Sequence, residues 1–223
     1  AIHYEDDVEL IPDAMRSAED TLVVLTPAIP ADHKEWAWFR EQGFRIEKRS
    51  QMLGHLSEGK MVMAVAGTHG KTTTSTLAAW LNHAAAGEGS AFLGGISTNF
   101  ASNLVLGEGR RLVVEADEYD RSFLRLWPDV AVITATDADH LDIYGTAEAM
   151  VEAFEQFASQ IKEGGSLILK QGVAFHFDTK GRNLYRYSCD AGGDFHAENI
   201  RLIEGGHYRY DIVLPDGRIE DCE

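Results

Sequence analysis

Gly67-Thr68-His69-Gly70-Lys71-Thr72 is the stretch of this sequence best equipped for chemistry. Its glycines let successive backbone N–H groups converge on an anion, and a helix starting there adds the partial positive charge of its N-terminus. Lysine and threonine at that point are the residue types that meet outer phosphates and Mg²⁺. Lys71 is therefore the candidate for the β/γ-phosphates and Thr72 for the metal. Gly67, Thr68, His69, Gly70 and Thr73 complete the expected cradle. The run is tighter than the full phosphate-loop pattern, which wants glycine five residues before Gly70, where this chain has Val65. A protonated His69 could face phosphate, but packing and bonding within the loop is the favoured reading.

Two further groups carry chemistry. Leu112-Val113-Val114 runs into Glu115-Ala116-Asp117-Glu118-Tyr119-Asp120. Four carboxylates crowded at a strand end repel one another unless a cation joins them. Glu115, the first polar residue after the strand, is the candidate for Mg²⁺. The alternative is a solvated acidic turn capping a helix that begins near Asp120. Val130-Ala131-Val132-Ile133-Thr134 leads into Asp137-Ala138-Asp139-His140-Leu141-Asp142. His140 among acids at a strand end suits a second metal ligand or a general base, against the alternative of an ordinary surface histidine.

These groups need an α/β frame to bring them together. Strands are expected at 61–66, 91–93, 111–115, 130–134 and 166–169. Helices are expected at 72–86, with Leu77, Ala78, Trp80 and Leu81 as the apolar face, and at 147–162. The second has Thr146 as N-cap and Gly164-Gly165 as stop. Carboxyl ends of parallel strands are where such sheets place ligands, so the three groups should meet along one edge. Residues 194–204 and 207–214 alternate around Gly205-Gly206 and predict an antiparallel hairpin, and Asp216-Gly217 announces a further turn.

Upstream, Thr21 to Leu25 reads as a buried parallel-type strand. Asp32 to Gln42 reads as a helix capped by Asp32 and stopped by Gly43, followed by a strand at 44–47 and a helix at 50–56. Trp36, Trp38 and Phe39 are expected to pack rather than to form a stacking platform. The fold class is thus α/β. Residues 1–58 form a partial Rossmann-like domain without its glycine-rich first turn. Residues 59–223 form a phosphate-loop mononucleotide-binding domain with a small antiparallel β portion near its end.

With 223 residues, 44% hydrophobic and 25% charged, the chain has ordinary globular composition. The formal net charge of −16 argues against a nucleic-acid partner. It also requires local devices to hold any anionic nucleotide. No apolar run approaches the roughly 18 residues of a membrane span, and no signal peptide is evident, so a cytoplasmic protein is expected. Cys189 and Cys222 read as free thiols. The start at Ala1 and the end just past Asp216-Gly217 read as a piece of a longer protein.

Together these residues resemble the Mur ligases, ATP-dependent enzymes that build the peptide of cell-wall precursors. Ala66-Gly67-Thr68-His69-Gly70-Lys71-Thr72-Thr73-Thr74 looks like that family's ATP loop, and residues 114–120 and 137–144 look like its second and third motifs, in the same order and spacing. Thr26-Pro27-Ala28-Ile29-Pro30, Lys48-Arg49-Ser50-Gln51-Met52-Leu53 and the run from Arg121 to Thr134 look like the member that adds L-alanine to UDP-N-acetylmuramate. The resemblance implies ATP and Mg²⁺ as cofactors, with Thr72, Glu115 and His140 as metal ligands. It implies a UDP-sugar site lined by Thr26, Pro27, Ala28 and Ile29 in the first domain. It also implies a third, C-terminal domain that this chain lacks, so that the chain alone should not turn over. The ligase that recycles whole murein peptides shares Glu115 to Asp120 and is the rival within the family. Outside it stand a phosphate-loop kinase or GTPase, which would want an Asn-Lys-x-Asp motif that is not found, and a nucleotide-binding module without activity.

Overall fold

A computed structural model describes residues 2–26, 28–139, 141–190 and 192–223, and it separates into two compact units, Ala1–Leu56 and Ser57–Glu223. Pro27 and His140, both candidates above, lie outside the described residues.

In the first unit, strand β1 (Leu22–Leu25) pairs in parallel with β2 (Arg45–Lys48). Helix α1 (Lys34–Glu41) joins them, and α2 (Arg49–Ser57) follows β2. Strand β1 was expected to be buried, yet Val24 is 44% exposed, because this sheet has two strands and little to cover it. The cap of α1 also differs from expectation. The helix begins at Lys34, and the backbone N–H groups of Lys34 and Glu35 donate to the two carboxylate oxygens of Asp6 at 2.9 and 3.1 Å. Asp6, remote in sequence, thus does the work assigned to Asp32, and the two bonds to backbone N–H lower its pKa. Gly43 stops the helix at φ 75°, as the sequence indicates. Trp38, Phe39 and Phe44 pack ring against ring at 4.9–5.4 Å.

The second unit is built on a ten-stranded sheet in the order β12-β11-β10-β9-β8-β7-β3-β6-β4-β5. Its strands are β3 (Met61–Ala66), β4 (Ser90–Ser97), β5 (Ser102–Val105), β6 (Arg111–Glu115), β7 (Val130–Ile133), β8 (Ser166–Lys170), β9 (Asn183–Ser188), β10 (Phe195–Leu202), β11 (Tyr208–Leu214) and β12 (Gly217–Cys222). From β4 to β10 along the sheet every neighbouring pair is parallel, while the pairs β4–β5, β10–β11 and β11–β12 at the two ends are antiparallel. Central β3 is covered on both faces, which is why its sequence is a continuous apolar run rather than an alternating one: Val62, Ala64, Val65 and Ala66 are at most 1% exposed.

Among the described residues three α-helices complete this unit: α3 (Lys71–Ala86), α4 (Leu141–Tyr144) and α5 (Ala147–Ser159). The chain moves from β3 to β4 in one direction along the sheet and from β7 to β8 in the other, so right-handed crossovers put α3 and α5 on opposite faces. Beneath α5, Phe123 stacks on Phe157 at 5.0 Å and meets Phe154 edge-on at 5.3 Å. All three are at most 1% exposed, each worth roughly 1.5–3 kcal/mol of burial. Thr146 caps α5, accepting from the Ala149 N–H at 3.2 Å. The helix ends at Ser159 rather than 162, where the chain tightens so that the Gln160 and Ile161 N–H groups donate three residues back, to Phe157 O and Ala158 O at 3.1 Å; the Gln160 side chain donates to the Leu124 and Leu126 carbonyls at 3.1 and 2.9 Å.

Helix α3 faces the sheet differently from its apolar pattern. Leu77, Trp80 and Leu81 are 56%, 39% and 59% exposed, while Ser75 and Ala79 are buried and Ala78 packs against Ala91, Leu93 and Val113. Small side chains let the helix axis approach the sheet closely, so the small stripe rather than the large one turns inward. Strands β5 and β9 were not anticipated, and the turn expected at Asp216-Gly217 leads into β12.

Candidate functional site

The register of the central strands decides what meets at the carboxyl edge. Val65 pairs with Glu115 on one side of β3, and Ala66 pairs with Ile133 on the other. The next residues along the three strands are therefore Gly67, Ala116 and Thr134, at the point where the strand order reverses.

The loop after β3 is anchored to the end of β7. The Thr134 hydroxyl donates to the carbonyls of Ala66 and His69, and the Thr68 N–H donates to Ala135 O at 3.1 Å. Gly67 has φ 130°, and a Cβ there would lie 2.2 Å from Thr134 Oγ1, so only glycine fits. Gly70, at φ 80°, opens α3 with no side-chain cap. The Thr68 hydroxyl is buried within this loop and has no partner. A glycine wedge, an uncapped helix N-terminus and an orphaned buried hydroxyl fit a phosphate group. The His69 side chain is exposed rather than packed, and its carbonyl accepts from the Thr134 hydroxyl. Thr73 is exposed on the first turn of α3.

Thr72 and Glu115 come together. The Thr72 hydroxyl donates to Glu115 Oε1 at 2.9 Å. The other oxygen, Oε2, accepts from the Gly94 N–H at 2.7 Å and lies 3.3 Å from the hydroxyl of buried Ser75. Both carboxylate oxygens are thus held, and the carboxylate occupies the space beside Gly94, where a Cβ would stand 2.2 Å from Oε1. One carboxylate and one hydroxyl make an incomplete shell for Mg²⁺, which customarily binds one or two carboxylates together with substrate phosphates. The donors present fit that use. Among the described residues no three His, Cys, Asp or Glu side chains gather as a metal-binding group, and His140 lies outside them.

Lys71 has a partner that the sequence reading passed over. Its ammonium donates to Gly67 O at 2.8 Å and to Glu118 Oε1 at 2.7 Å, and the Glu118 side chain is 1% exposed. Glu118 is the third carboxylate of the acidic run. It is followed closely by a left-handed corner at Asp120 and Arg121, both at φ 54°. Its carbonyl accepts from the Arg121 N–H at 3.0 Å and from the Tyr144 hydroxyl at 2.6 Å. Burial, and then the negative charge of Glu118, push the Tyr144 pKa up to about 12. The acidic run was therefore legible as a group, but a φ above zero at two non-glycine residues leaves no composition signal to say which acid turns in.

Thr26, Ala28 and Ile29 lie in the first unit, on the exposed turn that follows β1, where the Ile29 N–H donates to Thr26 O at 3.3 Å. In the second unit a pocket of about 360 Å³ opens beside the ends of β7 and β8, lined by Thr136, Asp137, Lys170 and Gln171 among others. A larger cavity of about 490 Å³ lies at the opposite, amino edge, lined by Lys60, Arg110, Arg111, Asp129 and Lys162. Lys60, Arg110 and Lys162 there already donate to backbone carbonyls, and Lys162 also to Asp129, so the cavity is braced by its own contacts.

The Mur ligase middle domain matches residues 65–221. The UDP-N-acetylmuramate–L-alanine ligase of Phocaeicola vulgatus is 52% identical over 100% of this chain and 49% of its own length. The enzyme of the same name from Parabacteroides distasonis is 49% identical over 100% of this chain and 48% of its own length. The chain thus spans about half the length of these curated relatives. Among solved structures, a UDP-N-acetylmuramate–alanine ligase from Thermotoga maritima superposes with a TM-score of 0.71 at 23% identity, over 91% of this chain and 47% of that one. The UDP-N-acetylmuramate:L-alanyl-γ-D-glutamyl-meso-diaminopimelate ligase from Neisseria meningitides gives 0.73 at 21% identity, over 89% and 67%. A glycine-rich strand-to-helix loop, an acid held against its threonine, and a domain match over most of the sequence agree, and this chain belongs to the Mur ligase family.

Proposed function

We propose that Gly67 to Thr73 of this chain cradle the phosphates of ATP. The intact protein would use that ATP to join L-alanine to the lactyl carboxylate of UDP-N-acetylmuramate in peptidoglycan precursor synthesis. A carboxylate is a poor electrophile, so the γ-phosphoryl group passes to it first, releasing ADP and giving an acyl phosphate. The alanine amine then attacks the carbonyl carbon, inorganic phosphate leaves and the amine loses a proton. The protein's share is alignment and charge neutralisation. Lys71 would meet the β/γ-phosphates, and Thr72 and Glu115, with His140, would hold Mg²⁺. The metal would supply Lewis-acid neutralisation of phosphate charge.

In the same reading residues 1–58 belong to the UDP-sugar domain, with Thr26 to Ile29 beside the sugar nucleotide, and 59–223 to the ATPase domain. Such substrates place the protein in the cytoplasm. Among the described residues no helix is long and apolar enough to cross a membrane. Identities of 52% and 49% to enzymes named for L-alanine favour that amino acid over a recycled peptide.

The observation that carries the reading is the 2.9 Å contact between Thr72 and Glu115, made by residues 43 apart in sequence and placed by strand register. Calorimetry of ATP binding against Mg²⁺ concentration tests it. Glu115→Ala should raise the Mg²⁺ needed for half-maximal ATP binding about tenfold, in line with losing a metal-site group. An unchanged Mg²⁺ midpoint, or no ATP binding by the unmutated chain, refutes the site.

A further inference from the structure

An ammonium group has three N–H donors. Two of those on Lys71 are taken, by Gly67 O at 2.8 Å and Glu118 Oε1 at 2.7 Å, which leaves one for an incoming phosphate. The Glu118 carboxylate is not free to follow the lysine. Its side chain is 1% exposed, and its carbonyl is pinned by Tyr144 and Arg121.

We propose that Glu118 is the built-in counter-ion of the phosphate loop, the resident carboxylate with which a nucleotide's outer phosphate must compete for Lys71. The proposal rests on the phosphate-cradle reading above and deepens it by stating what sets the affinity of that cradle. A phosphate reaching Lys71 meets a fixed negative charge in a water-poor corner, where like charges repel far more strongly than in bulk solvent. The same ion pair removes the reason for Lys71 to seek another anion while the loop is empty. Free phosphate and metal-free nucleotide are therefore held weakly. Mg²⁺ at Thr72 and Glu115 would offset the repulsion, so the pair makes the loop selective for metal-loaded nucleotide.

The test compares the wild type with Glu118→Gln, which keeps the shape and an acceptor for Lys71 but removes the charge. Probes are metal-free ATP, inorganic tripolyphosphate and AMP, with Kd measured by calorimetry. Glu118→Gln should bind ATP and tripolyphosphate about 10-fold more tightly, ~1.4 kcal/mol. AMP, which lacks outer phosphates, should change less than about twofold on the same conversion. Equal or weaker binding of ATP and tripolyphosphate by a folded Glu118→Gln overturns the proposal and leaves the cradle standing. Equal tightening of AMP also overturns it, since the effect would then be general. If neither protein binds ATP or tripolyphosphate, the cradle reading fails and takes this proposal with it. Should Glu118→Gln not fold, Glu118→Asp withdraws the charge by one methylene and should give a smaller tightening in the same direction, and no change in that variant overturns the proposal.

Discussion

The Gly94 N–H donates to Glu115 Oε2 at 2.7 Å, and a Cβ added to Gly94 would stand 2.2 Å from Glu115 Oε1. Gly94 lies in extended strand β4, outside the left-handed region, so alanine suits its backbone. What must give way is the far end of one flexible side chain. Gly94→Ala should therefore fold with a Tm within a few degrees of wild type. It should weaken Mg²⁺-dependent ATP binding about 10-fold, because the carboxylate loses its backbone anchor and its alignment on Thr72. Circular dichroism and a Mg²⁺ titration separate the two effects; unaltered metal dependence would show that Glu115 needs no such orientation.

Lys71 has a structural part besides the phosphate contact proposed for it. Removing its ammonium leaves Glu118 a buried carboxylate without that counter-charge, and breaking a buried pair from one side costs about 3–5 kcal/mol. Lys71→Ala should lower the denaturant midpoint accordingly. Lys71→Ala with Glu118→Gln should recover most of the loss, since no charge is then left stranded. A single variant as stable as wild type would mean that the pair adds nothing to folding.

Tyr144 gives a pH signature. Burial first, and the charge of Glu118 second, raise its pKa from the ordinary 10 to about 12. A raised pKa means that the folded state holds the proton more tightly, so the contribution is fully present below pH 10 and is lost as pH climbs from 10 through about 12. Tyr144→Phe should be less stable than wild type at neutral pH, having lost the bond to Glu118 O, and the gap between the two should narrow across that window. Parallel curves would refute the assignment. Tyr187, also raised by burial, titrates equally in both proteins and cancels in the comparison.

The central sheet was legible because both-face burial writes a strand as an unbroken apolar run, as in Met61 to Ala66 and Val130 to Ile133. The turn after β3 was legible because Gly67 and Gly70 meet a conformational need, at φ 130° and 80°. Helix α3 misled for a physical reason. Leu77, Trp80 and Leu81 make the more apolar stripe, but the sheet accepts the narrower one of Ser75 and Ala79. Asp6 could not be read as the cap of α1, because it reaches across 28 residues of chain. Glu118 escaped for a similar reason. Among four neighbouring acids, backbone geometry rather than residue type selected the one that meets Lys71.

The anchoring of the loop by Thr134 has a consequence for the order in which this domain can assemble. The hydroxyl that ties down the carbonyls of Ala66 and His69 belongs to a residue 68 and 65 positions further along the chain. Closing spans of that length is slow compared with forming local turns. During synthesis the glycine motif leaves the ribosome with β3 well before β7 and Thr134 follow. Until then the nascent chain carries the glycine motif but not the anchored loop, so a nucleotide bound as proposed cannot serve as a template for the early steps of folding. It can reward only a sheet whose central three strands are already in register.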